Sequence, residues 1–522
     1  MKNNSSIITK LLFFCFVLLQ TLNTQANNIS VANISITGQN TTAGTNNAAN
    51  YSMVKFNLAW ENSWRSAALN WDAAWVFVKY RVNGGAWNHC NLHNTGHTAA
   101  TGSTIDAGLV TPSSAFNITS NPAVGVFIYK NADGNGNVNY QNVQLRWNYG
   151  SQGVADNAVL DVQVFAIEMV YVPTGAFAVG DGGTLNQEYT LTTINTGNAT
   201  TAPSGTGSLG GQAGGYPTGQ TAPSSPNWPN GYNAFYTMKY ELTQGQYRDF
   251  LNTLTYPQQA NRCEQSILIS GNMALTTGIL PTNRNGIEVK IAGNLSGNSA
   301  VFGCDLNSNN IYDESIDGEW IAANYLSWGD LASYMDWSAL RPMTELEFEK
   351  SCRGILLPIL DEYAWGTNSM NRLSNVDSSG HNNERISTGY TINNGVGNIS
   401  CCNTPLRVGI FSSNSSNTGR VSSGGTFYGI MEMSGNVAEN TITMYNSDGL
   451  SFIGSHGDGI LNSSGDKTNY DWASSSDASG TGPRGAWGDN LTALKTSSRE
   501  YIYQSVYYRS QTMGGRGVRS AQ

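Results

Sequence analysis

Charge is scarce in this chain. Only 12% of its 522 residues are Asp, Glu, Lys or Arg, and the formal net charge is -9. No cluster of Lys and Arg occurs along it. Phosphate contacts need such clusters, so the chain is a poor nucleic-acid binder. Long apolar runs are missing too. Leu11 to Leu19 is too short to span a bilayer comfortably, and no later segment is long and apolar enough for a transmembrane helix. Cysteine is thin: seven residues, and none after Cys402. Glycine, by contrast, is abundant at 58 residues, with much Asn, Ser and Thr, which points to short strands and long loops rather than helices. Hydrophobic residues at 39%, with 13 Trp and 25 Tyr, supply a real core. A length of 522 residues predicts two or three domains.

Residues 1–26 read as a secretory signal. Lys2 and Lys10 give positive charge, the apolar run follows, and Thr24-Gln25-Ala26 ends in the small residue that a signal peptidase prefers. Cys15 lacks the small residues of a lipoprotein cleavage site. The expectation is an exported protein: secreted, periplasmic or at the cell surface. Six cysteines remain: Cys90, Cys263, Cys304, Cys352, Cys401 and Cys402. An oxidising compartment permits disulfides without fixing their pairing. Cys263 and Cys304 flank one insertion and are the preferred pair. Cys352 reads as a buried apolar residue on a helix. Cys401-Cys402 is either a strained vicinal bridge or two free thiols.

Residues 27–165 read as a β-sandwich. Val54, Phe56, Leu58 and Trp60 alternate as in a half-buried strand. Trp75 to Tyr80 is a second run, closed by the hairpin signal Asn83-Gly84-Gly85. Val126 to Tyr129, then Val143, Leu145 and Trp147, then Leu160, Val162 and Val164 repeat the pattern. Three of the five histidines fall at His89, His93 and His97. His89 and His93 would share a strand face, and the three could hold zinc or copper; the alternative is a polar hairpin edge.

The pattern changes from residue 166 onward. Met169 to Phe177 reads as an opening strand, and 183–230 as a long low-complexity loop of Gly, Ser, Thr, Pro and Asn. Thr243 caps a helix whose apolar face is Tyr247, Phe250, Leu251 and Leu254, with the nearby acidic residues on a solvated face. Residues 255–320 form an insertion. Within it, Asp305 to Asp313 carries oxygen side chains at alternating positions, as calcium loops and Asx-rich turns both do. Its sixth position is Asn310 and its twelfth Ile316, so it is no true EF-hand. Ser327 caps the next helix. Thr344 and Glu347 form a capping box for another, which Gly354 closes.

The stretch Gly429 to Asn440 organises the rest. It sets Glu432, Gly435, Asn436 and Glu439 among apolar residues, suiting either a tight turn that aims oxygens at a hard cation or a plain Gly-containing turn. Upstream stands Arg341-Pro342-Met343-Thr344-Glu345-Leu346-Glu347-Phe348-Glu349; downstream stands Gly515-Arg516-Gly517-Val518-Arg519. These three blocks, in this order, resemble the formylglycine-generating enzyme family, also called sulfatase-modifying factor domains, over about residues 167–522. Glu241-Leu242-Thr243 and Tyr363-Ala364-Trp365-Gly366 add to the likeness.

The resemblance implies, over 166–522, the loop-rich α+β fold related to C-type lectins, so the whole chain reads as α+β, with the N-terminal β-sandwich of the strand pattern ahead of that domain. It also implies that the acidic residues of the helix opening at Thr344 are structural. It implies calcium at Glu432, Gly435, Val437 and Glu439, two carboxylates and two main-chain carbonyls, with a second calcium at Asn375 and Val376. Family enzymes bind copper through a cysteine pair ahead of a stretch that here is Tyr507-Tyr508-Arg509-Ser510, and Leu494 to Val506 contains no cysteine. Soft Cu(I) needs thiolates, so copper is not expected at that place. Related iron enzymes draw three histidines from an added helical domain, which this chain lacks. The reading is an exported, calcium-stabilised, non-catalytic binding or structural protein, with a protein or glycan ligand at the cell surface or self-association. Tyr501, Tyr503, Tyr507 and Tyr508 would offer a recognition surface. The alternative is a divergent metal-dependent oxidase.

Overall fold

The computed structural model describes residues 29–185, 187–200, 223, 225–373, 375–387, 396–397, 405–413, 417, 419–485 and 490–522. The expected leader, Cys401, Cys402 and residues 201–222 of the Gly-rich stretch lie outside the described residues.

Period-2 patterning builds the N-terminal sandwich. One layer is β1 (Ser30–Asn40), β2 (Tyr51–Ser66) and, on the other side of β2, a long strand, Gly134–Trp147. Val54 stands opposite Leu145 and Phe56 opposite Val143. The second layer begins at β3 (Asn70–Val82), which touches β2 only at the hairpin end, through Arg65–Trp71 and Ser66–Asn70. After the Asn83-Gly84 turn, β4 (Asn88–His89) pairs back on β3. The layer is completed by β5 (Ser103–Leu109) and β6 (Ala123–Lys130); the long strand of the first layer is β7, and β8 (Leu160–Val172) flanks β3. Val54, Phe56, Leu58 and Trp60 meet Ala74, Val76, Val78 and Ile128 in one core.

The run Ala73 to Val78 is apolar without alternation because β3 is buried on both faces. Its other side chains, Ala73, Trp75 and Phe77, pack into the C-terminal half with Phe250 and Trp337. Sheet continuity follows the same line. After β9 (Phe177–Val179) and β10 (Thr192–Ile194), which pair with each other, β11 (Phe235–Met238) pairs with Met169–Val172 of β8 and, on its far side, with Val518–Ser520. Among the described residues one sheet of ten strands thus runs through the sandwich into the C-terminal half, and β8 spans residues 165 and 166.

The C-terminal half is loop-rich and carries short helices: α1 (Gln244–Leu251), α2 (Tyr256–Arg262), α3 (Trp328–Trp337) and α4 (Glu345–Arg353). Thr243, Ser327 and Thr344 cap α1, α3 and α4, as the sequence pattern predicts, and all three caps, not Thr344 alone, are reciprocal capping boxes. Gly354 ends α4 at φ 65°, and a Cβ there would run into the Phe427 ring. The insertion folds as a hairpin of β12 (Ile287–Ile291) and β13 (Val301–Cys304). The architecture is therefore α+β and sheet-rich. Among the described residues no helix is long and apolar enough to cross a membrane.

Buried charge joins the two halves. Lys239, which follows β11, places its ammonium 2.9 Å from Glu168 of β8 and 3.5 Å from Asp72 of β3. Asp72 also accepts from Trp60 Nε1 at 2.9 Å, Ser63 Oγ at 2.7 Å and the Trp64 amide at 3.0 Å. Trp75 Nε1 donates to the Ser338 carbonyl at 2.8 Å, and Lys79 donates to the carbonyls of Trp337 and Gly459 at 2.8 Å. Truncating Lys239 would leave two buried carboxylates without their cation. Lys239→Met is expected to destabilise the chain by about 3–5 kcal/mol, read as a lowered midpoint in urea denaturation.

Candidate metal centre and cleft

The turn from Glu432 to Val437 is tight because three of its residues are left-handed: Glu432 at φ 58°, Gly435 at 121° and Asn436 at 68°. Bonds on several sides pin it. The Gly435 amide donates to the Gly485 carbonyl at 2.8 Å, and Asn436 Oδ1 accepts the Leu406 amide at 2.7 Å. Glu241, just before the α1 cap, accepts the Val437 amide at 3.0 Å and Asn436 Nδ2 at 2.5 Å. The expectation of a solvated face for Glu241 is therefore corrected: it is 1% exposed, because its two oxygens hold this turn.

Glu432 and Glu439 are buried at either end of the turn. Glu432 Oε1 accepts the Gly409 amide at 2.9 Å; Glu439 Oε1 pairs with Arg516 at 2.8 and 2.9 Å. The second oxygen of each, Oε2, is buried with no hydrogen-bond partner. Burial pushes both carboxyls up to about 7, against the pull of Arg516. Glu241 is held well above the usual carboxylate range by burial and then by the charge of Glu439. Beside Glu439 Oε2 stands Gly485, at φ 83°, where a Cβ would fill the space. Orphaned carboxylate oxygens beside a side-chain-free cradle fit a hard divalent cation. Among the described residues no three His, Cys, Asp or Glu side chains are grouped to hold a metal by themselves. A cation on Glu432 and Glu439 would thus lean on main-chain carbonyls such as those of Gly435 and Val437. Asn375 is exposed, its Oδ1 accepting the Val376 amide at 3.1 Å, and residues 388–395 that follow lie outside the described residues.

A cleft of about 560 Å³ opens at Tyr507-Tyr508-Arg509, with Arg262, Glu264, Tyr325 and Asp330 among its walls. Arg509 makes a two-pronged pair with Asp330 at 2.9 and 3.0 Å and reaches Glu264 at 2.9 Å. Asp330 is also the capping-box residue of α3, accepting Ser327 Oγ at 2.7 Å, so the helix start fixes the arginine. Tyr507 and Tyr508 stand half-exposed and edge to face, 5.7 Å apart.

The cysteines correct another expectation. Cys263 and Cys304 are not bonded; Cys90, Cys263, Cys304 and Cys352 are all free and buried. The two sit in different surroundings, Cys263 beside Arg509 and Asp330 and Cys304 beside Arg248 and Glu319. Burial pushes the Cys263 and Cys352 thiols up to about 12. Cys352 is the buried helix residue the sequence predicts. His93 and His97 lie close to each other, and His89 stands apart from both. His89 turns into the sheet, donating to the Val124 carbonyl at 2.6 Å and stacking on Phe77. His93 Nδ1 accepts the Thr95 amide and His97 Nδ1 the Arg146 amide, each at 3.1 Å.

The sulfatase-modifying factor enzyme 1-like domain matches residues 161–520, and the chain belongs to that family. The match begins within β8, the strand that both halves share. No curated protein matches the chain. Sequence reasoning set Glu241 on a solvated face, although its own Glu-Leu-Thr likeness was the available signal. Arg516 is legible in the sequence only as part of the closing block Gly515-Arg516-Gly517-Val518-Arg519.

Buried thiols react slowly and free ones carry no mass deficit. Alkylation of the folded protein is expected to leave Cys90, Cys263, Cys304 and Cys352 unmodified, and denaturation without reductant to expose all four, read by mass spectrometry. A Cys263–Cys304 peptide surviving denaturation would contradict this.

Proposed function

We propose that this member of the sulfatase-modifying factor family is an exported, non-catalytic scaffold, stabilised by calcium, that binds a protein or glycan ligand at the cell surface. The observation that carries the reading is the cleft. Where the family resemblance asks for a thiolate pair ahead of Tyr507-Tyr508-Arg509-Ser510, Leu494 to Val506 has no cysteine. Cys263, beside the Arg509 and Asp330 of the cleft, is buried and pushed up to about 12, far from the thiolate that a soft ion needs. Arg509 is held by Asp330 and Glu264 rather than left to polarise a substrate.

Binding suits what remains. The cleft is concave, its arginine is pre-oriented by the start of α3, and two half-exposed tyrosines give rigid contact area with polar tips. Calcium at Glu432 and Glu439, with the Gly435 and Val437 carbonyls, would supply the positive charge that these two buried carboxylates share with Arg516. Stabilisation of the turn would position Ala438–Ile442, the strand that follows, between Thr481–Arg484 and Met513–Gly514.

The test of the non-catalytic reading is incubation of copper-loaded protein with a cysteine-containing sulfatase-motif peptide. The expected result is a peptide thiol of unchanged mass. Conversion of that cysteine to an aldehyde, abolished by Cys401→Ser or Cys402→Ser, would make the chain an oxidase with a displaced site.

A further inference from the structure

Beyond β13 the chain enters the loop Asp305 to Gly318, which the scaffold reading leaves unused. Asp305, Asn307 and Asn309 stand at alternate positions, and Ser308 and Asn310 are left-handed at φ 58° and 61°. The Asp305 carboxylate accepts the amides of Asn309 at 3.0 Å and Asn310 at 2.8 Å. An Asx-rich turn explains that much without any ion.

Asp317 is what a plain turn does not explain. Its side chain is fully buried, and Oδ2 accepts the Glu314 amide at 2.8 Å, but Oδ1 is buried with no partner at all. The charges that act on it come from Asp305, Glu314 and Asp313, every one acidic. A buried carboxylate oxygen needs a donor or a cation. The nearby cations are committed elsewhere. Arg248 binds Asp249, Asp313 and Glu319, and Lys290 lies 3.6 Å from Asp313. Asp313 is thereby drawn toward Arg248 and the Cys304 amide, while Asp317 is a buried carboxylate on which the Asp305 charge acts.

We propose that this loop is a calcium site of its own, held by Asp305, Asn307, Asn309, the Ile311 carbonyl and Asp317. The set is all oxygen, two charged and three neutral, which suits a hard ion of variable coordination and not a transition metal. Among the described residues no three His, Cys, Asp or Glu are grouped to hold a metal, so amide and main-chain oxygens complete this set. Asn307 Oδ1 and Asn309 Oδ1 each accept one amide, at 2.9 and 2.7 Å, and keep a second lone pair for the ion. The site shares no residue with Glu432 and Glu439 and stands or falls apart from them.

The experiment uses the full chain and two probes. Calcium stoichiometry is measured by equilibrium dialysis, and Tb³⁺ emission sensitised by Tyr312, which lies in the loop, is titrated. Asp317→Asn and the exposed-site variant Asn307→Ala are each expected to weaken Tb³⁺ binding by about tenfold or more and to lose one calcium. Glu439→Gln is expected to keep the emission. Melting of the variants in chelator at the wild-type temperature shows that they are folded. Wild-type emission and stoichiometry in both loop variants would overturn the proposal, as would emission lost only in Glu439→Gln.

Discussion

Buried carboxylates and the cations that answer them are the constraint on which the family domain depends. Helix α4 shows the rule satisfied. Glu345 takes Arg499 at 2.7 and 3.0 Å and Arg484 at 3.3 Å; Glu349 takes Arg353 at 2.6 Å and Arg484 at 3.0 Å; Glu347 takes Arg341 at 2.6 and 2.9 Å. Arg353 also binds Glu362. Four acids meet four guanidiniums in a region with almost no solvent. Removing one partner from such a set strands a charge, while the set as a whole contributes little net stability. What it contributes is geometry. The lattice ties α4 to the segments around Arg484 and Arg499, and Lys350 adds bonds to the carbonyls of Pro173, Gly231 and Tyr232.

The turn at Glu432 to Glu439 departs from that balance. Three buried carboxylates, Glu241, Glu432 and Glu439, stand close enough to raise one another, against Arg516 in direct contact with Glu439 and Arg407, whose charge also pulls on Glu432. Glu241 is satisfied by amide donors, while Glu432 and Glu439 each keep a bare oxygen. An excess of negative charge in a dry site calls for proton uptake or a bound cation. The loop ending at Asp317 shows the same signature on a smaller scale.

Much of the fold was legible in local patterning. The capping boxes at Thr243, Ser327 and Thr344 are local events, and their helices begin where the pattern says. Alternation in β2 reads as a half-buried strand and the apolar run in β3 as a second strand; that β3 is buried on both faces emerges only with the structure. What β3 packs against was not legible, since partner choice is a tertiary matter. For the same reason Glu241 was assigned to solvent although its turn lies almost two hundred residues away in the chain. The Cys263–Cys304 pairing failed because flanking an insertion says nothing about which core pocket each thiol enters. His89 and His93 share a face only on a continuous strand, and β4 is two residues long. The residues of the central turn were legible through family likeness rather than through spacing. Their bare oxygens emerge only with the three-dimensional structure.

Calcium bound at Glu432 and Glu439, as proposed, would meet the charge imbalance there. Anomalous diffraction from crystals grown with calcium tests it most directly. An anomalous peak is expected within ligand distance, about 2.3–2.6 Å, of Glu432 Oε2 and Glu439 Oε2, completed by main-chain carbonyls of the turn. Crystals with no peak there, and the two carboxyls sharing a proton or bonded to ordered water instead, would contradict it.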